Sequence, residues 1–453
     1  MDALAELLAT LPDGVATTDP ESMEKYRHDW SHDAAAGVPL AVVRAETAEQ
    51  VQETVRWAAR HRVPVVPRGA GSGLSGGATA VDGGIVVSLE RMRAVEVDTA
   101  ARVAVVEPGV LNIEVKAAAA QHGLWYPPDP SSYDMCSIGG NIATNAGGLC
   151  CVKYGVTTDY VLGLDVVLAD GTLVRLGGPR IKDVAGLSLT KLFVGSEGTL
   201  GVVTRVVLRL LPAQGARSTL VAAFPTVAAA AQAVVSLGRR LRPSMLELMD
   251  RASVNAVEDF SPMGLDRTVG ALLVAQSDAP GAARAEEIGV IAEECRAAGA
   301  GDVFVTDDAE EGEMFVHARR QAFPAIEARG ALLLEDVGAP VPVLPDLLAA
   351  VAAIAEEHGV EIPVVAHAGD GNTHPIIVYD PADPDSEKRA REAFDAILRA
   401  AIALGGTITG EHGVGRTKKA ALPDQLGPDV MALTRRIKDA LDPDGILNPG
   451  AVL

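Results

Sequence analysis

The sequence predicts an α+β protein in two main parts with a short C-terminal return. Three observations lead to it. Residues 1–214 mix short strands and helices with dense glycine clusters. Residues 215–405 alternate strands with Ala-rich amphipathic helices, the pattern of a helix-covered sheet with its own core. Residues 406–453 return to glycine-rich segments and close on the tail LDPDGILNPG. At 453 residues, two or three domains with ample core are expected.

In chain order, Thr47 followed by Gln50 has the form of a capping box. Val51, Val55 and Ala58 continue at helical spacing, so a helix runs to about His61. Residues 63–66 read as a strand and lead into RGAGSGLSGGATA (68–80). Residues 85–89 and 103–106 read as strands, 107–109 as a turn and 112–121 as a helix. A second cluster, CSIGGNIATNAGG (136–148), precedes strands at 161–169 and 172–176. A third, VGSEGTLGVVT (194–204), runs into a strand at 202–211. The next part carries strands near 220–224, 244–249, 270–276, 331–335, 362–366 and 375–379. Helices are expected at 226–240, 281–298, 308–328, 343–358 and 384–404, and a last one near 427–441.

Composition excludes several function classes. Lys plus Arg is 39 and Asp plus Glu is 60, a formal charge of −21. That balance argues against nucleic acid and anionic membrane surfaces as partners. Four cysteines make no disulfide framework in a chain of this length. The start lacks a basic region and a long apolar core, and no apolar run is long enough to span a bilayer. A cytoplasmic protein is expected, touching a membrane only through a partner.

The glycine clusters carry the first chemistry. Gly71, Gly73 and Gly76 match G-x-G-x-x-G, with Glu90 19 residues after Gly71. A dinucleotide fold needs a helix opening at that motif. Here ATAVDGG and a strand follow, and the helix comes before, so a Rossmann site is rejected. Five glycines within 69–77 beside Arg68 still favour a backbone N–H nest for a phosphate-bearing cofactor over a plain turn. In the second cluster Ser137, Asn141 and Asn145 stand among glycines that permit close approach. Singly each asparagine is a turn former; with the first loop they suit a planar heterocycle.

His367 and His374 flank Ala-Gly-Asp-Gly-Asn-Thr in a strand, turn, strand pattern. Glu411 and His412 lie in another glycine-rich turn. Two histidines and a glutamate with an open position suit Zn²⁺ or a related divalent ion. On spacing alone a metal site and a structural histidine pair stay equally open. His412, whose ordinary pKa is near neutrality, is then the candidate base.

PVVPRGAGSGLSGG (64–77), DPSSYDMCSIGGNIATNAGG (129–148) and VGSEGTLGVVT (194–204) resemble the FAD-binding segments of vanillyl-alcohol oxidase type flavoproteins. HAGDGNTH (367–374), GEHGVG (410–415) and DPDGILNPG (442–450) resemble the branch with the glycolate oxidase D-subunit, D-lactate dehydrogenases and D-2-hydroxyglutarate dehydrogenase. The resemblance covers nearly the whole chain. It implies a two-subdomain FAD-binding domain (1–214), an α+β cap with a helix-covered antiparallel sheet (215–405) and a C-terminal segment returning to the FAD domain (406–453).

It also implies site residues. The pyrophosphate loop would be Arg68, Gly69, Gly71, Ser72, Gly73, Leu74, Ser75, Gly76 and Gly77. Pro130, Ser137, Gly140, Asn141, Asn145 and Gly147 would lie near the flavin and its phosphates, with Glu197, Gly198, Val203 and Asn448 completing the FAD site. Relatives with G-G-x-H-C have Gly148-Leu-Cys150-Cys151 here, with no histidine in the second cluster, so FAD is expected to be non-covalent. His367, His374 and Glu411 match metal ligands: zinc is expected, with manganese or iron(II) as alternatives. Arg319 matches the family's carboxylate-binding arginine, beside Arg320, expected on a solvated face. Glu247 is a weaker site candidate, equally readable as a surface acid at a strand end.

The implied reaction is oxidation of a small anionic D-2-hydroxy acid, with an iron–sulfur partner, a quinone or an electron-transferring flavoprotein as acceptor. Hydroxyglutarate enzymes carry a lysine where this chain has Leu334, so D-lactate or glycolate is favoured. A homodimer is a further expectation. The alternatives are an FAD-containing electron-transfer subunit of a larger complex, a D-2-hydroxyglutarate dehydrogenase, a metal hydrolase without flavin, and ether-lipid synthesis on the same scaffold.

Overall fold

A computed structural model describes residues 3–31, 33 and 35–453, which divide into two compact units. The first comprises 1–147, 156–213 and 411–453, the second 148–155 and 214–410.

The first unit holds two main sheets. In one, Ala16–Thr17, Ala41–Arg44, Ile85–Ser88 and Val65–Arg68 lie in that order, the last three parallel. The runs AVVR and IVVS are apolar on both faces, as parallel core strands require. The C-terminal tail joins this sheet through a parallel bridge between Val65 and Leu447. The helix Ala48–His61 packs Val51, Val55 and Trp57 into the same core. Thr47 caps it, accepting from the Gln50 N–H, but the Gln50 side chain accepts from the Glu46 N–H, one residue before a reciprocal box would place it.

The other sheet is antiparallel: Val95–Asp98, Val103–Val106, Val202–Arg209, Val161–Val167 and Leu173–Gly177. Its core takes in a helix, Ile138–Thr144, inside the second glycine cluster. Two glycines in IGGNIAT hid that helix from a propensity reading. The last helix, Leu422–Leu441, starts earlier than expected and is interrupted at Gly427, where φ is +74°.

The second unit is built on an antiparallel sheet in the order Asp302–Thr306, Ser218–Phe224, Ala271–Ser277, Met245–Asp250, Val364–His367, Asn372–Tyr379 and Ala331–Leu334, with Val337–Gly338 also on Asn372–Tyr379. One face packs Val221, Met245, Met249, Val274, Val365 and Ile376 against the helices Arg251–Phe260, Ala309–Arg320 and Ala322–Glu327. Residues between them, such as Leu220, Leu246 and Leu273, point to the other face. Among the described residues no helix is long and apolar enough to cross a membrane.

Candidate functional site

The first glycine loop emerges from Val65–Arg68 and ends before Ile85–Ser88, with no helix opening on it, which removes the Rossmann geometry. Gly71 and Gly76 have φ of +77° and +80°, conformations that favour glycine. Among the described residues, the N–H groups from Gly71 to Gly77 find no protein acceptor, and Ser75 and Gly76 are buried. A run of such amides is an anion nest, and it fits a pyrophosphate. The Arg68 guanidinium braces the loop from inside, donating to the Ala78 and Lys25 carbonyls at 3.2 and 3.3 Å.

Ser137 ties loop and helix together. As N-cap of Ile138–Thr144 it accepts from the Gly140 N–H, and it also accepts from the Ala70 N–H at 3.1 Å. A Cβ on Gly69 would lie 2.3 Å from its Oγ. Asn141 is buried and accepts from Asn112 Nδ2 at 3.0 Å. Asn145 ends the helix at φ +54° and accepts from the Thr158 N–H. Pro130 and Gly147 are buried in the same unit, and Val203 lies on Val202–Arg209, packed against its core. The Cys150 thiol belongs to the second unit, where it is buried and forms no disulfide.

The turn after residue 410 is held by groups of the first unit. Glu197, at φ +51°, accepts from the Val414 and Gly415 N–H groups, each at 2.8 Å. Burial pushes its carboxyl up to about 7, against the pull of these two donors. Next to it, Gly198 takes φ +71° and sits against Pro67. Asn448 Nδ2 donates to the Gly77 and Glu197 carbonyls at 2.8 and 2.7 Å. The Ser75 hydroxyl donates to the His412 carbonyl at 3.1 Å, and the Ser75 carbonyl accepts from the Arg416 N–H at 2.7 Å. The Glu411 carboxylate lies 3.9 Å from His412 Nε2.

A second group of predicted residues converges inside the second unit. Met245–Asp250 pairs Leu248 with Ala366 and Met249 with Val365, so the next pair out is Glu247 with His367. Val365 also pairs with His374 on the following strand. Period-two alternation therefore puts Glu247, His367 and His374 on one face, the face carrying Val365 and Met249. The imidazoles meet edge to face, with centroids 5.1 Å apart. His367 Nδ1 is 2.8 and 3.0 Å from the two Glu247 oxygens.

Arg319 reaches the same carboxylate from the helix Ala309–Arg320, which Asp308 caps through the Glu310 and Glu311 N–H groups. Its Nε lies 2.9 Å from Glu247 Oε2, an ion pair off the N–H axis, and its buried Nη2 has no hydrogen-bond partner among the described residues. The expected neighbour Arg320 is half-buried and paired with Glu313, not solvated. Glu247 is likewise no surface acid, being 1% exposed.

Sequence reasoning passed over Asp336. It is fully buried, accepts from Asn372 Nδ2, Thr409 Oγ1 and the Gly410 N–H, and stands 3.7 Å from His374 Nδ1. The available signal was a pair of carboxylates, Glu335 and Asp336, closing the apolar run 331–334. The two imidazoles fit a divalent ion in donor type, since a carboxylate at His367 Nδ1 places the ring lone pair on Nε2. The third predicted ligand, Glu411, belongs to the first unit.

Comparison with known proteins converges on the same reading. The FAD binding domain family matches residues 39–177, and the C-terminal domain of FAD linked oxidases matches 213–452. The chain is 39% identical to the glycolate oxidase subunit GlcD of Bacillus subtilis (strain 168), over 93% of this chain and 91% of that protein. It is 37% identical to a D-lactate dehydrogenase of Archaeoglobus fulgidus, over 91% of each. Among solved structures, p-cresol methylhydroxylase with substrate bound matches with TM-score 0.84 at 19% identity, covering 99% of this chain and 96% of the other. An alkyldihydroxyacetonephosphate synthase matches at 0.77 and 18%, over 99% and 85%. These two likenesses show the shared fold. The matched families, in keeping with the nest and the capped helix, establish that the chain carries an FAD binding domain and belongs to the FAD-linked oxidases.

Proposed function

We propose that this enzyme oxidises a D-2-hydroxy monocarboxylic acid, D-lactate or glycolate, to the 2-oxo acid. The observation that carries the reading is Arg319: a buried guanidinium with an unpartnered Nη2, sharing the Glu247 carboxylate with His367 of the predicted metal set. Such a donor suits a substrate carboxylate, and a charge-assisted bond to it fixes orientation. The relatives named for glycolate and D-lactate support the same class.

Oxidation removes a hydride equivalent from the substrate Cα and a proton from its hydroxyl. FAD, when bound, supplies the two-electron acceptor. The first-unit residues from Arg68 to Gly77, with Pro130, Ser137, Gly140, Asn141, Asn145, Gly147, Glu197, Gly198, Val203 and Asn448, form the proposed FAD site. His412 takes the hydroxyl proton at a ring nitrogen. Zinc, or manganese or iron(II) in its stead, held by His367, His374 and Glu411, would polarise the hydroxyl as a Lewis acid. Leu334 packs with the apolar cluster of the second unit, so this position offers no cation to a second carboxylate, which disfavours hydroxyglutarate. Electrons leave to an external acceptor carried by a partner, in the cytoplasm or at a membrane reached through that partner.

Anaerobic mixing of the purified flavoprotein with D-lactate, glycolate and D-2-hydroxyglutarate tests the reading. Bleaching of the flavin band by the first two, faster than by the third, is expected; no bleaching by any of them overturns it. Replacing His412 with Ala should keep the spectrum and slow bleaching at least ~100-fold. An unchanged rate removes His412 from the mechanism.

A further inference from the structure

Glu247 belongs to no expected catalytic, cofactor or metal set, yet it touches two residues that do. Extending the Leu248–Ala366 register by one residue sets it opposite His367, and the helix Ala309–Arg320 brings Arg319 against it. Its oxygens lie 2.8 and 3.0 Å from His367 Nδ1, and Oε2 lies 2.9 Å from Arg319 Nε. The Glu247, His367 and Arg319 side chains are 1%, 3% and 5% exposed. A carboxylate this deeply buried persists where opposite charge and hydrogen bonds offset desolvation.

The contacts have directional consequences. A carboxylate at Nδ1 makes that nitrogen the N–H donor and leaves the lone pair on Nε2, the arrangement that prepares an imidazole to bind an ion. The ion pair at Nε holds the base of the Arg319 fork, while Nη2 stays buried without a partner. One group thereby orients both the carboxylate-binding cation and the imidazole.

We infer that Glu247 is a shared positioning residue: it sets the His367 tautomer and aims the Arg319 guanidinium, so that ion binding and substrate-carboxylate binding depend on one carboxylate. This rests on the proposal that Arg319 and His367 serve the hydroxy-acid reaction. Tautomer control requires a group that accepts at Nδ1, and aiming Arg319 requires a negative charge at Nε. A glutamine keeps the shape and satisfies at most one of these demands.

The experiment compares the flavin-loaded wild type with Glu247→Gln and Glu247→Asp. Zinc affinity is measured by chelator competition. Affinity for oxalate, a carboxylate probe, is measured by perturbation of the flavin spectrum. Glu247→Gln is expected to keep its flavin, weaken zinc ~10–100-fold as the loss of an outer-shell partner does, and weaken oxalate by about tenfold or more. Glu247→Asp keeps the charge and should recover part of both losses. In an Arg319→Lys background, Glu247→Gln should still loosen zinc but add little to the oxalate loss. Loss of only one ligand, or both constants within twofold of wild type, overturns the inference. If Glu247→Gln fails to hold flavin, Glu247→Asp is judged by the same rule, joint weakening supporting it and weakening of one ligand alone overturning it. If no 2-hydroxy acid bleaches the wild type while zinc and oxalate still weaken together, the proposed reaction falls and the anchor stands. A wild type that binds neither probe sinks both.

Discussion

Glu197 offers a measurable consequence of burying a carboxylate. Its carboxyl rises from 4.5 to about 7 because desolvation outweighs the Val414 and Gly415 donors, with the charge of Asp29 adding to the rise. Between those two values the folded chain holds a proton that the unfolded chain has released. Stability from this group is therefore fully present below about 4.5 and is lost as pH rises through about 7. Each pH unit in that window is worth about 1.4 kcal/mol, so the group loses roughly 3 kcal/mol across it. Glu197→Gln keeps the shape without a titrating proton. Its amide satisfies one of the two backbone donors and leaves the other facing an NH₂, a constant loss of about 1–3 kcal/mol. Urea unfolding of the flavin-loaded wild type and variant at intervals from pH 5 to pH 8 isolates the titration as the difference between the two curves. The wild-type advantage should shrink by about 2.5 kcal/mol over that range. A constant difference would show that Glu197 does not titrate there. A wild-type advantage that grows with pH would show the opposite sign, with the two N–H donors outweighing burial.

Three further outcomes are expected. Gly415→Ala should lower both flavin content and melting temperature. Its φ is +48° and a Cβ would lie 1.9 Å from the Ser75 carbonyl oxygen, so a backbone shift adds to the ~1–2 kcal/mol of left-handed strain; full flavin loading would contradict this. Asp336→Asn should cost roughly 2–4 kcal/mol in urea unfolding, because an amide cannot accept from Asn372, Thr409 and Gly410 together; a cost near zero would remove Asp336 as an organiser of this turn. Acid precipitation should leave a colourless pellet and a yellow supernatant, as non-covalent FAD requires, and a yellow pellet would refute that expectation.

What was legible in the sequence was local. The loop 68–77 and the strand, turn, strand around His367 and His374 lie within a few residues of one another, and turn chemistry exposes them. The helix Ala48–His61 was visible through its cap and period. The strand Asp302–Thr306 was missed because it lies largely exposed at a sheet edge, where alternation is weak. Glu247 stayed ambiguous for a different reason. Its partners are 72 and 120 positions away, and only strand register and helix docking bring them together. The backbone donors on the Glu197 carboxylate were equally illegible, because Val414 and Gly415 lie more than 200 residues away.

The C-terminal tail has a consequence for how the protein is made. The Val65 N–H donates to Ile446, the Asn448 N–H returns to Val65, and the Asn448 side chain braces the carbonyl of Gly77. The proposed phosphate loop is synthesised well before the residues that brace it. The intervening residues 214–410 carry their own core and need not wait for them. At roughly 5–20 residues per second, the 235 residues separating 213 from 448 take on the order of 10–50 s. During that interval the nascent first unit has neither the tail strand contact nor the Asn448 brace. Tight flavin capture should therefore wait until the segment around Asn448 has been made, and removing that segment should disable a loop written 371 positions earlier.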